Sequence, residues 1–311
     1  MDRVLVTGGA GFIGAHVVNA LLACGMDAVV ADNFSTGRKE RIPVGVRCYE
    51  RDIASSDMDD VFAREKPRYV IHLAAQVDVA RSFADPLYDA TSNIFGTLRI
   101  LSNCCKHQVE KIVFASSCAV YGQAGSFPVT ERHRPRPISH YGLSKLTAER
   151  YIQLYHRLYG LRFSILRFAN VYGPGQSTGG EGGVVAIFVR RLLEGQTPDI
   201  YGDGEQTRDF VFVEDVAAAN VLALRAGHNR TINIGHGSSV SINELLAQLA
   251  AIAGTPVVPV YRAPRAGDIR HSSLNGSLAR QVLGWEQRND LPTGLRHTVD
   301  AFRSKEREYA G

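Results

Sequence analysis

The 311-residue chain has no apolar run near the ~18–20 residues of a membrane-crossing helix, so no such helix is expected. It has little net charge. Lys+Arg number 35 against 31 Asp+Glu, giving +4. That is too weak an imbalance for a nucleic-acid binder, though it suits a small anionic ligand met by a few placed arginines. There are only five cysteines, at 24, 48, 104, 105 and 118. The number is odd and no C-x-x-C pair occurs, which argues against a disulfide framework and a zinc or other metal site. Reduced, packed thiols in a cytoplasmic protein are expected. No basic-then-apolar leader precedes residues 2–7, which already read as a strand, so no signal peptide is expected. Repeats, low-complexity tracts and long linkers are also lacking. The 45% apolar content provides ample surface to bury, and the length fits two domains at ~150 residues each or one α/β domain with an added lobe.

Short apolar runs alternate with amphipathic stretches in the first half. Strands are predicted at 3–7, 28–32, 46–52, 69–74, 111–117 and 162–168, and helices at 13–24, 57–66, 86–107 and 141–159. Strands alternating with helices indicate a parallel, doubly wound sheet of the Rossmann type. After residue 170 a Gly-rich loop, 170–183, precedes predicted helices at 183–194, 213–226, 241–253, 276–283 and 293–306. The expected division is a dinucleotide-binding domain at 1–169, joined by about 209–236, and a smaller C-terminal α/β substrate lobe at 170–208 and 237–311.

Gly9-Ala-Gly11-Phe12-Ile13-Gly14 fits G-x-G-x-x-G between a strand and a helix. The glycines permit a tight turn and close approach to a pyrophosphate, which would sit at the positive end of the helix. Asp32 ends the second strand 18 residues after Gly14, where a carboxylate would take ribose hydroxyls and repel a 2′-phosphate. NAD is therefore favoured over NADP, although Arg38 and Lys39 lie near. Asp52 fits an adenine contact, or else a cap for helix 57–66 or a solvated turn. Ala74 and Ala75 are small enough for a close-lying dinucleotide or for core packing.

Tyr141 and Lys145 lie four apart, on one helix face. A phenol, with a pKa near ~10, needs a nearby ammonium to act as a base at neutral pH. Ser116 and Ser117 end the fifth strand, and Ser117 can hydrogen-bond the oxygen that the tyrosine deprotonates. Cys118, His140, the run RHRPRP (132–137) and Trp285 are read, respectively, as a packed thiol, a loop residue, a solvated loop and a packing residue.

The segments TGGAGFIG (7–14), DNFSTG (32–37), HLAAQ (72–76), SNIFGTL (92–98), SSCAVYG (116–122), YGLSK (141–145), RFANVYGPGQ (167–176), GDGEQTRDFVFVEDVA (202–217) and PRAGDIRHS (264–272) together resemble the extended short-chain dehydrogenase/reductases, and within them the UDP-hexose 4-epimerases. The resemblance implies Ser117, Tyr141 and Lys145 as catalytic residues. It implies NAD held by Gly8, Gly11, Phe12, Ile13, Gly14, Asp32, Asn33, Ser35, Thr36, Gly37, Asp52, Ile53, Leu73, Ala74, Ala75, Gln76 and Ser116, with Tyr141 and Lys145. Asn93 would stand by the nicotinamide side. On the UDP-sugar, Asn170, Arg208 and Arg265 would meet the diphosphate and Asp268 the uridine ribose. Gly183, Val184, Val185 and Tyr201 would flank the uracil. The resemblance also implies a homodimer built on helices 87–106 and 141–159.

Relatives of this kind oxidise C4 of a nucleotide sugar and then diverge. Those that eliminate water resemble one another in an Asp-Glu pair just after the serine, where this chain has Cys118 and Ala119. Those acting on hexuronates often carry an Arg just after G-P-x-Q, where this chain has Ser177, Thr178 and two glycines. The expectation is a 4-epimerase of UDP-glucose and UDP-galactose. The alternatives are a nucleotide-sugar dehydratase or other lyase using Cys118 as an acid, a UDP-hexuronate 4-epimerase, and a non-catalytic NAD-binding protein. Ser272, four residues beyond Asp268, replaces the tyrosine that restricts glucose-specific relatives, so the N-acetylated pair UDP-GlcNAc/UDP-GalNAc is expected to fit as well.

Overall fold

A computed structural model of the chain describes residues 2–179, 183–264 and 269–310, with side chains described as far as Ser304. Strands β1 (Arg3–Thr7), β2 (Asp27–Asp32), β3 (Arg47–Glu50), β4 (Tyr69–His72), β5 (Lys111–Ser117) and β6 (Arg162–Phe168) are joined by a seventh, Arg230–Ile234, in one parallel sheet. The order across the sheet is Arg230–Ile234, β6, β5, β4, β1, β2, β3. The strand order therefore reverses between β1 and β4, and a crevice opens at the carboxyl ends of those two strands. The seventh strand was not among the predicted ones. Its RTINI alternates polar and apolar residues, and pairing with β6 buries Ile232 and Ile234 completely.

Strand side chains divide between two layers with period two. Val4 and Val6 face one layer with Val17, Val18 and Leu21, where helix Phe12–Ala23 packs beside helix Val213–Arg225. Leu5, Ile112 and Phe114 face the other with Met58, Phe62, Ile100 and Ile152, which come from helices Met58–Glu65, Gly96–Lys106 and His140–Tyr159. Burial on both faces explains why these strands are nearly continuously apolar.

The stretch predicted as one helix over 86–107 is more complex. A short helix Val79–Ala84 precedes it, and Asp78 and Asp85 cap successive short helices through the backbone N–H groups of Arg81 and Tyr88. The run then continues as Pro86–Ala90, a π-turn at Thr91–Phe95, and Gly96–Lys106. Apolar periodicity does not reveal a single inserted turn, and such π-turns recur where a side chain is re-aimed at a site.

The smaller lobe packs helices Val184–Leu193, Ile242–Ala253 and Leu291–Ala310 around Phe188, Leu192, Leu245, Leu249 and Leu295. A Ser241–Glu244 capping box starts the second of these helices. Asp209, wholly buried, accepts from the backbone N–H groups of His236, Gly237 and Leu274 and so gathers three segments beside the cleft. Trp285 is buried against His236, and its indole N–H donates to the Asp215 carbonyl. Among the described residues no helix is long and apolar enough to cross a membrane, and no cluster of His, Cys, Asp and Glu could hold a metal ion.

Candidate active site

A cleft of about 1380 Å³ opens at the carboxyl edge of the sheet, between the sheet and the smaller lobe. Its floor is the turn after β1. Gly8 sits at φ +73°, and a Cβ there would lie 2.7 Å from the Ala74 amide nitrogen. A Cβ on Gly14 would lie 2.0 Å from the Gly8 carbonyl oxygen. Only hydrogen fits at either position, which brings bare backbone to the cleft surface. Gly11 is the N-cap of helix Phe12–Ala23, and no side chain caps that helix. Uncapped N–H groups at a positive helix end form a ready anion site. This cradle fits the pyrophosphate of a dinucleotide.

Asp32 stands at the end of β2, nearly buried. Its two oxygens accept from the amides of Ala10 at 3.0 Å and Phe34 at 2.8 Å. Burial pushes its carboxyl above the usual range, against the pull of those amides and of Arg41. A Cβ on Gly37 would strike its Oδ1 at 2.7 Å, so Gly37 packs behind Asp32 and does not line the cleft. Asp52 accepts from Asn33 Nδ2 at 2.7 Å and from its own turn at Ala54 N, 2.8 Å. It therefore does not cap helix Met58–Glu65, whose N-cap is Asp57. Asn33, Ser35, Thr36, Asp52 and Ile53 form one end of the cleft wall, and Leu73 to Gln76 follow β4 along it.

Ser117, Tyr141 and Lys145 all line the cleft. Ser139 caps their helix by accepting from Gly142 N at 3.0 Å. Gly142 lets the helix start lie against the turn after β5, because a Cβ there would be 2.6 Å from the Ala119 carbonyl oxygen. Ser117 Oγ accepts from Ala119 N at 3.2 Å. Lys145 is buried with its ammonium 4.6 Å above the Phe114 ring. Desolvation lowers its pKa to about 8, opposed by the carboxylates of Asp89 and Glu149. His72, wholly buried between the hydroxyls of Thr7 (2.7 Å) and Thr97 (3.1 Å), is held neutral by desolvation and by the nearby Lys145 charge, with a pKa of about 3.

Several expected residues lie elsewhere. Asn93 is buried on the π-turn and not on the cleft wall. Its side chain accepts from Gln76 N and donates to Gln76 O, Asp89 and Ser144 Oγ, so it braces the loop after β4 against the Tyr141 helix. Val185 is buried in the apolar core of the smaller lobe, and Gly183 and Val184 open its helix outside the cleft wall. Tyr201 lines a neighbouring cavity of about 730 Å³ with Gln206 and Tyr261, which shares Ile269 with the main cleft. Asn170, Arg208 and Ser272 do line the main cleft. Asn170 Oδ1 is buried without a partner among the described residues, as an acceptor awaiting a ligand would be. Arg265 and Asp268 lie outside the described residues. His140 is not in a loop but starts the Tyr141 helix, edge-on to Phe83.

Sequence reasoning missed Arg41, Gln176 and the wall from Val77 to Phe83. The paired aspartates of D-V-A-R-S-F-A-D-P were the available signal for that wall, as successive helix caps.

A model of the NAD dependent epimerase/dehydratase family matches residues 4–235. The chain belongs to this family. Its fold superposes on UDP-glucose 4-epimerase from Thermotoga maritima with UDP-glucose, with TM-score 0.96 and 44% identity over 98% of this chain and 99% of that one. The Thermus thermophilus UDP-glucose 4-epimerase complex with NAD gives TM-score 0.92 and 41% identity, covering 97% and 99%. The UDP-N-acetylglucosamine 4-epimerase of Methanobrevibacter ruminantium gives TM-score 0.93 and 34% identity, covering 98% and 99%. NAD is this family's cofactor, and the Gly8–Gly14 cradle with Asp32 fits it.

Proposed function

We propose that the chain is a UDP-glucose 4-epimerase, interconverting UDP-glucose and UDP-galactose through transient oxidation at C4 and rotation of the 4-keto sugar. The observation that carries this reading is the grouping of Ser117, Tyr141 and Lys145 in one cleft beside the dinucleotide cradle, with Cys118 and Ala119 where an eliminating enzyme needs carboxylates. When bound, NAD supplies the acceptor and donor of hydride at C4. Tyr141 takes the C4 hydroxyl proton and later returns it. Ser117 holds the same oxygen, and the Lys145 ammonium favours the phenolate. Both proton transfers use one residue on one oxygen, so no further acid or base is required.

The diphosphate of the UDP-sugar is assigned to Asn170 and Arg208, with Arg265. Asp268 takes the uridine ribose, and the uracil extends toward Tyr201 in the cavity beyond Ile269. A cation at a cleft wall suits a phosphate oxygen. A hexuronate is disfavoured because Ser177 follows Gln176 on the wall, and Arg190, which reaches Thr178 Oγ1 at 3.3 Å, is not part of the wall. Ser272 lines the main cleft, as Ser117 and Cys118 do. Its small side chain on the cleft wall supports the reading that a C2 acetamido group is accommodated and that the N-acetylated pair is a substrate too.

We assign residues 1–169 and about 209–236 to the cofactor-binding domain, and 170–208 with 237–311 to the substrate lobe. A homodimer forms through Pro86–Lys106 and His140–Tyr159, where Leu87, Phe95, Leu143 and Leu158 are exposed. Light scattering at micromolar concentration checks it; a monomer refutes it.

Incubation of the protein with UDP-glucose followed by chromatography of the UDP-sugars tests the function. A C4 epimer is expected, and a dehydrated product or unchanged substrate overturns the reading.

A further inference from the structure

Two residues of the cofactor half reach the loop that carries Asn170. The Gly173–Gln176 turn, closed by Gln176 N donating to the Gly173 carbonyl, lies beside the first turn of helix Phe12–Ala23. His16 Nε2 donates to the Pro174 carbonyl at 2.9 Å, and Arg41 Nη2 to the Gly175 carbonyl at 2.7 Å. Gly175 has φ +86°, and a Cβ there would just touch the Phe12 ring at 4.0 Å. Phe12 in turn packs edge-on against His16, with ring centroids 6.1 Å apart. Gln176, the last residue of the turn, and Ser177 after it line the cleft, as do Gly11, Phe12 and Arg41. The turn is therefore fastened to the helix that opens the cradle, and its last residue, Gln176, reaches the cleft wall.

We infer that His16 and Arg41 clasp the 173–176 turn over the dinucleotide and set how long it stays bound. The two residues come from different elements: His16 from the helix of the glycine motif, Arg41 from the segment after Asp32. Both grip backbone carbonyls, so the fastening does not depend on which side chains the turn carries. A dinucleotide held by its pyrophosphate leaves only when this turn lifts, and lifting breaks both bonds. An epimerase regenerates its cofactor in each cycle, so slow release costs it nothing. The inference rests on NAD as the resident cofactor.

The two grips are distinguishable, because Arg41 lines the cleft near Asp32 whereas His16 does not line it. The experiment loads purified protein with NADH and follows release into excess NAD by loss of bound-NADH fluorescence. His16→Ala is expected to speed release by about tenfold, the scale of one lost hydrogen bond, and His16→Ala/Arg41→Met further. His16→Gln, which keeps a side-chain N–H donor, is expected to stay near wild type. Release from His16→Ala at the wild-type rate overturns the clasp, even if Arg41→Met is fast, since Arg41 would then act on the cofactor directly. Equally fast release from His16→Gln and His16→Ala overturns it too, because the packing of the ring and not the bond would matter. A wild-type protein that binds no NADH fails the cofactor reading instead.

Discussion

Glu149 and Arg167 form a buried ion pair at 2.5 Å, one helical turn beyond Lys145. Glu149 also accepts from Ser116 Oγ at 2.5 Å, and Arg167 donates to Tyr121 OH at 2.8 Å. The pair thereby ties the Tyr141 helix to β5 and β6 directly behind the reacting groups. Breaking one side leaves the other charge buried alone, which costs about 3–5 kcal/mol. Glu149→Ala is expected to lower the urea midpoint strongly, and Glu149→Ala/Arg167→Met much less than Glu149→Ala alone. Equal losses in the two variants would show that the pair is not the source of the effect.

Tyr141→Phe removes the proton acceptor and keeps the ring. Epimerisation should fall by about 100-fold or more, the scale of general-base loss, while NAD(H) recovered from denatured protein stays at the wild-type level. Near-full activity in this variant would sink the assigned mechanism.

Lys145 must be charged to support the phenolate, and its pKa of about 8 places the alkaline limb of activity near that pH. Asp89, buried and bonded to Gln76 and Asn93, is the first of the carboxylates that raise it. Asp89→Asn removes a negative charge and keeps the shape. The ammonium is then less favoured, so the lysine pKa drops and the alkaline limb moves to lower pH. A variant with reduced activity but an unmoved pH profile would mean that Asp89 only shapes the loop.

Ser272→Tyr should abolish turnover of UDP-GlcNAc and UDP-GalNAc and spare UDP-glucose and UDP-galactose, since the added ring meets only the larger C2 substituent. Coupled assays on the two substrate pairs check this. Equal loss of both would refute the size argument.

The sheet and the glycine turn were legible because their signals are local. A parallel strand buried on both faces must be apolar along its length, and Gly14 is required by a backbone contact with Gly8 within one strand–turn–helix unit. Asn93 was legible as a polar residue near the site, but its role was not. It sits on a π-turn, and its partners at 76, 89 and 144 come together only through tertiary packing. That the Val185 side chain packs into the core was not legible for the same reason: a helix start shows which residues are apolar and not which face the core takes. The His16 and Arg41 contacts grip carbonyls 158 and 134 positions away, on which the side-chain sequence is silent.

The central claim is that hydrogen leaves C4 as hydride, remains in the site, and returns to the same carbon. UDP-glucose deuterated at C4, incubated with the protein in ordinary water, tests it directly. The account predicts UDP-galactose that retains the deuterium at C4. Deuterium lost to solvent, or moved to C6 in a dehydrated sugar, would contradict it.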